Sequence, residues 1–305
     1  MKGARGFVLV NALVLVAALA AVAVFMLGRA ETARFRAGAA LEAAQLKLNL
    51  DAFEALAREV LEQDAGTGLP ADHPGEAWAR AVPPVALERG QVTGRIADLQ
   101  GRFNLNRLAN PEDVFARESF DRLALRLGMS RQRVDDIVEF LSPGGPRIAN
   151  DYARAQPPLR PVGGAALMRE QLRQIPGLSE RDYARLAPHV AMLPGRTTIN
   201  VNTVSGEVLA SLFPNANAAA MEALVQSARR QPFQAVDGFI TELLRVMPEE
   251  DVAALPEGLL GVGSTWFEVE ITAELDGRVA MRRAVIRRLP LPQPALVAYR
   301  LDEWN

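Results

Sequence analysis

Apolar side chains fill the first part of the chain almost without a break. From Phe7 to Leu27 only Asn11 is polar, with Lys2 and Arg5 ahead of the run and Arg29 behind it. At about 1.5 Å per residue, a helix of this length crosses a hydrocarbon core of about 30 Å. The basic residues in front predict that residues 1–6 stay cytoplasmic while the rest of the chain is carried across. Ala17-Ala18-Leu19-Ala20 offers small residues for a secretory cleavage, but the apolar run is too long for a signal peptide and nothing breaks it. Beyond the run the pattern becomes a stripe. Leu41, Leu48, Phe53, Leu56, Val60 and Leu61 recur at helical spacing, separated by charged residues, until Gly66-Thr67-Gly68-Leu69-Pro70. One helix from Phe7 to about Gln63 is expected, its outer half needing a soluble partner layer.

The period then shortens to two. Val92, Gly94 and Ile96 alternate with Thr93, Arg95 and Ala97, and the flanking glycines predict a meander with strands near 85–89, 91–98 and 102–105. From Asn110 to about Leu260 the pattern is helical again. Asn110 is expected to cap a helix that starts at Pro111 and stops at Gly128, and Ser130 to cap one that stops at Pro143-Gly144. Further helices are expected near 165–174, 179–187, 204–212, 217–230 and 236–246. Strand alternation returns at Phe267, Val269, Ile271, Ala273 and Leu275, and Asp276-Gly277 reads as a two-residue hairpin turn. That register sets Glu270 opposite Arg283 and Trp266 opposite Arg287. Pro290, Pro292 and Pro294 end the hairpin, leaving an edge strand or tail.

Neither group of strands is stable alone. Joining them in one antiparallel sheet against the long helix makes the fold α+β and turns the helical region into an all-α insertion between strands.

Composition narrows the function. The formal net charge is −2, there is no cysteine, and the two histidines are His73 and His189. Disulfides and thiol chemistry are excluded, and no overall basic field points to nucleic acid. No nucleophile elbow, phosphate-cradling loop or His-Glu-x-x-His motif occurs, so no enzyme activity is expected.

A short basic leader ending in Gly6, then Phe7, then a membrane helix that continues outward, resembles the type IV prepilins and pseudopilins. The resemblance implies cleavage by a prepilin peptidase between Gly6 and Phe7 and methylation of Phe7. The fifth residue after that cut is usually Glu, and here it is Asn11. Absence of that Glu, together with "GRIADLQGRFNLN" and its Asp98, Gly101, Phe103, Asn104 and Asn106, resembles the K-subunit family of type II secretion minor pseudopilins. Two later stretches, around Pro176-Gly177 and from Ile199 to Phe239, resemble SAM-like or helix-hairpin-helix modules. The second opens on Ile199-Asn200-Val201-Asn202-Thr203.

The family layout implies a leader (1–6), a transmembrane helix (7–27), a discontinuous pilin-like body (28–108 with 261–305) and an inserted helical domain (109–260). The two modules of the insertion would occupy about 109–195 and 196–260. It also implies an inner-membrane protein with its C-terminal part in the periplasm. The implied partners are the minor pseudopilins I, J and H, the prepilin peptidase and the inner-membrane assembly platform, and the implied place is the pseudopilus tip. K subunits often carry an acidic calcium loop. At the matching place Ser142, Pro143, Gly144 and Gly145 replace the acids and leave Asn150 and Asp151 as calcium candidates. Two alternatives share parts of this pattern: a membrane-anchored DNA-binding protein of a DNA-uptake system, and a minor pilin of a type IV pilus. The first is weakened because the second hairpin, Pro214-Asn215-Ala216-Asn217, keeps no phosphate-gripping glycine.

Overall fold

The computed structural model describes residues 4–304 apart from Leu69, Ala149 and Val162, with the backbone alone for residues 4–8. Helix α1 (Ala4–Ala65) is continuous, and Gly66 ends it where the sequence predicts. Residues 9–37 are exposed along their whole length. Farther on, Leu46, Leu50, Phe53, Ala57 and Leu61 are buried at successive turns of one face.

That buried line differs from the expected stripe. Leu41, Leu48 and Leu56 are 72%, 60% and 50% exposed. Two apolar lines run along this half of α1, and the sheet covers one of them.

The sheet is antiparallel in the order β1 (Val85–Leu87), β2 (Gly90–Asp98), β7 (Trp266–Leu275), β8 (Arg278–Arg287) and β9 (Leu296–Trp304). Strands β2 and β7 are thus neighbours with a long helical segment between them in sequence. Trp78, Phe267, Val269, Ile271 and Ile286 meet the buried line of α1. The register of β7 and β8 is the expected one, Glu270 facing Arg283 and Trp266 facing Arg287, whose guanidinium lies 5.6 Å from the indole. Asp276 and Gly277 both take positive φ, as a two-residue turn of matching twist requires. Beyond the prolines, β9 is the edge strand.

The meander is corrected. Its third strand, β3 (Phe103–Asn104), leaves the sheet and pairs in parallel with β4 (Val190–Ala191). A second parallel pair joins β5 (Ile199–Asn200) to β6 (Leu260–Gly261).

Around these short pairs lie α2 (Val114–Arg126), α3 (Arg131–Leu141), α4 (Asn150–Ala153), α5 (Glu180–Leu186), α6 (Gly206–Ser211), α7 (Ala218–Arg230), α8 (Val236–Leu243) and α9 (Glu249–Ala253). Their core, with Phe103, Phe120, Phe213 and Phe239 fully buried, is separate from the core under α1. Helix α2 begins later than expected. Residues 105–109 form a 3₁₀ turn, Asn110 closes it, and Asp113 is the cap. One carboxylate decides this: Asp113 accepts from Ala116 N at 3.0 Å and clamps Arg107 at 2.9 and 3.0 Å. The helix expected near 165–174 is a 3₁₀ turn over Arg169–Gln174, and α8 stops at Leu243.

Candidate functional site

Two features stand apart from ordinary packing: the junction where the helical segment leaves the sheet, and the uncovered part of α1.

At the junction Asp98 ends β2, buried. Its carboxylate accepts from Thr203 Oγ1 (2.5 Å), Ser264 Oγ (2.7 Å), Asn200 Nδ2 (3.0 Å) and the Gln100 N–H (2.7 Å). Burial pushes this carboxyl above its ordinary range, and the hydrogen bonds pull the other way. Asn200 also donates to the Asp72 carbonyl and Ser264 Oγ, both at 3.0 Å, and accepts from Asn202 N. Gly101 lies so close to this loop that a Cβ there would sit 2.5 Å from the Thr203 carbonyl oxygen, so only glycine fits. Asp98, Gly101, Asn200 and Thr203 therefore converge.

The other signature residues serve the same end through backbone. Asn104 accepts from Leu193 N at 3.0 Å and donates to the Gly195 carbonyl at 3.1 Å. Asn106 exchanges a pair of bonds with Ala166, and Asn202 does so with Phe233. Each amide pairs as a peptide group would, tying a loop that has no strand partner. Phe103 is buried and stacked on Phe120 at 6.0 Å.

The pattern of the sequence did not reveal the charges around this junction. Gln100 bridges Thr198 and Thr265. On one face of β7 and β8, Glu268 meets Arg102 at 3.2 Å and Arg169 at 3.1 Å, and Arg283 pairs with Glu170 and, at 3.4 Å, Glu270. The next arginine back, Arg282, points to the opposite face, with 1% of its side chain exposed. It binds Asp51 (2.6 Å), Glu54 (3.3 Å) and Asp302 (2.7 Å), tying α1 and β9 to the sheet centre. Period-two alternation along β8 was the available signal. The partners, distant in sequence, were not legible.

A third group closes the end of α1. Arg288 pairs with Asp64 and with Asp72 at 2.6 Å, and Glu76 accepts from the Trp78 indole at 2.9 Å. Asp64, Asp72 and Glu76 could draw together around a metal ion. Arg288 already supplies the positive charge to two of them. Burial, followed by the charge of Glu76, pushes the Asp64 carboxyl up to about 6 against the pull of Arg288.

Asn150 and Asp151 lie in α4, both exposed, and Asp151 pairs with Arg154 at 3.2 Å. The nearby acids of α3 are also taken: Asp135 by Arg117, Asp136 by Arg133 and Glu139 by Arg147. Calcium needs six to eight oxygens, and this donor set does not fit it. His73 and His189 take structural bonds, to Gly75 N and Ser205 Oγ.

Asn11 lies within the exposed apolar stretch of α1. The side chain of Phe7, and residues 1–3 of the expected leader, lie outside the described residues, and the expected cut between Gly6 and Phe7 falls where the backbone alone is described.

Comparison with known proteins places this geometry. Two family models described as type II secretion system protein K match residues 101–195 and 199–262. The type II secretion system protein K of Pseudomonas aeruginosa is 30% identical, the match covering 94% of this chain and 90% of that protein. That of Aeromonas hydrophila is 26% identical, covering 92% of each. Among solved structures, a chain of the GspK-GspI-GspJ complex from enterotoxigenic Escherichia coli shares the fold, with a TM-score of 0.74 at 22% identity over 88% of this chain and 99% of that one. With the family models together matching more than half of the chain and the relatives spanning nearly the whole length, the chain belongs to the type II secretion system protein K family of minor pseudopilins.

Proposed function

We propose that this subunit sits at the tip of the pseudopilus, joined to the minor pseudopilins I, J and H, and helps to start filament assembly and support export across the outer membrane. The observation that carries this reading is the second apolar line of α1. Leu41, Leu48 and Leu56 continue outward from a membrane-length helix exposed from residue 9 on, and among the described residues none buries them. A neighbouring subunit's helix would bury that line and add hydrophobic contact on the scale of about 2 kcal/mol per leucine. The bulk of the helical segment beside the sheet suits an end position, because it obstructs close packing on both sides of a filament.

In this reading a prepilin peptidase cuts between Gly6 and Phe7, Phe7 is methylated, and α1 anchors the chain in the inner membrane beside the assembly platform. The remainder, with a pilin-like body (28–108 and 261–305) and two SAM-like modules (about 109–195 and 196–260), stands in the periplasm. The modules make protein contacts, and the protein is a scaffold without catalysis of its own. Asn11, neutral where a pilin carries Glu, gives up an ionic pair with a neighbour's amine that a terminal subunit does not need.

Two measurements test this. The intact mass of the membrane-extracted protein should correspond to loss of residues 1–6 and one added methyl; an uncut chain, or a cut near Ala20, overturns the reading. Leu48→Cys should crosslink to a cysteine on the helix of a co-expressed minor pseudopilin, and crosslinking to copies of this chain alone counts against a tip position.

A further inference from the structure

Where α1 leaves its apolar stretch, the helix surface forms a groove lined by Val24, Phe25, Gly28, Arg29, Thr32 and Arg36. Arg29 and Arg36 are seven positions apart, two turns along almost the same line of the helix. Gly28, on the membrane side of Arg29, has no side chain, and between the two arginines the Thr32 hydroxyl folds back to donate to the Gly28 carbonyl at 2.9 Å, so the floor stays low. Val24 and Phe25, 71% and 64% exposed, make an apolar wall on the membrane side, and the Arg29 guanidinium lies 5.8 Å from the Phe25 ring. The ion pairs of α1 begin only farther out, at Glu42 with Arg278 and Lys47 with Asp51. Among the described residues, neither Arg29 nor Arg36 meets a carboxylate.

The depth is set by the helix itself. Arg29 lies roughly 30 Å along the axis from Leu9, the thickness of a hydrocarbon core, which places Arg29 at the level of lipid phosphates, with Arg36 rooted about 10 Å farther out and long enough to reach back toward it. We infer that this groove holds an anionic glycerophospholipid, the phosphodiester between Arg29 and Arg36 and the start of an acyl chain against Val24 and Phe25. Guanidinium groups suit a phosphate geometrically, and the apolar wall at one end with charge at the other matches an amphiphile rather than a free anion. The bound lipid fixes the depth and rotation of α1, and so the direction in which Leu41 and Leu48 face. The inference rests on the reading of α1 as a membrane anchor.

The test uses the full chain in mild detergent with equal amounts of palmitoyl-oleoyl phosphatidylglycerol and phosphatidylcholine, retained lipids being counted by native mass spectrometry. Phosphatidylglycerol should be retained in preference, and Arg29→Gln and Arg36→Gln should each lower its retention about fivefold. Arg34→Gln, roughly 150° around the helix from this groove, should leave it unchanged. Equal retention of the two lipids, or an equal loss on Arg34→Gln, overturns the groove. Flotation with phosphatidylcholine vesicles separates the two levels. A chain that does not float overturns the membrane anchor and the groove together, while one that floats without lipid preference overturns the groove alone.

Discussion

The two faces of the sheet are covered in different ways. Toward α1 the contact is a row of apolar side chains, Leu46 to Leu61 against Phe267, Val269 and Ile271, pinned at its centre by Arg282. Toward the helical segment a small apolar patch, Leu99, Ala191 and Leu193 against Trp266, Val285 and Tyr299, is joined by directional bonds: Asp98 at the end of β2 with three side-chain donors, and the ion network of Glu268, Arg102, Arg169 and Arg283. Apolar contact is non-directional and tolerates sliding, whereas hydrogen bonds fix angle and register. The contact with α1 is therefore the larger apolar one, and the contact with the helical segment carries more of the bonds that fix orientation.

Breaking each face should separate these roles. Phe53→Ala opens a cavity under the sheet and should cost about 4 kcal/mol, read as a fall in Tm of the whole folded unit. Asp98→Ala leaves the Asn200, Thr203 and Ser264 donors unpaired and should cost about 3 kcal/mol. It should also speed proteolysis near 262–265, before the sheet itself melts. In Asp98→Ala, loss of sheet and helical segment together in a single transition, with no earlier cleavage near 262–265, would contradict the division of roles.

The Asp64 group bears on the α1 side. Its carboxyl, facing Asp72, Glu76 and Arg288, holds a proton in the folded state up to about pH 6, where the unfolded chain has released it near its ordinary pKa of 3.8. The stability it adds is full below about pH 4 and is lost as the pH rises through about 6. Asp64→Asn should therefore gain stability relative to the unmodified chain as the pH rises from 4 to 6, and parallel denaturation curves across that window would contradict it. Smallest of all, chelation of divalent cations should move Tm by less than about 1 °C, because the acids near Asn150 and Asp151 already have arginine partners.

What could be read in advance follows the range of the interactions. The continuous α1 and the β7–β8 hairpin come from local periodicity and a two-residue turn, and both were legible. The covered line of α1 was not, because Leu41, Leu48 and Leu56 match the helical period as well as Leu46, Leu50 and Ala57 do. Only the sheet's position selects between them. Phe103 and Asn104 look extended locally, yet their partner strand lies far along the chain at Val190 and Ala191. The start of α2 turned on Asp113 rather than Asn110 because Arg107 reaches the later acid. Of the candidate site, the residue types of the signature were visible as a motif. Their purpose was not, since Asn104, Asn106 and Asn202 bind backbone groups of distant loops, which leave no trace in side-chain pattern.

The adjacency of β2 and β7 has a mechanical meaning. The helical segment leaves the sheet at Asp98 and returns at Trp266, at the same end of two paired strands, where Asp98 faces Phe267. A pull on that segment would unzip the ladder rung by rung instead of shearing all its bonds at once. Asp98, Ser264, Asn200 and Thr203 lie across the mouth of the zip and bear such a load first. The same four side chains therefore set how much tension the subunit withstands before its sheet begins to part.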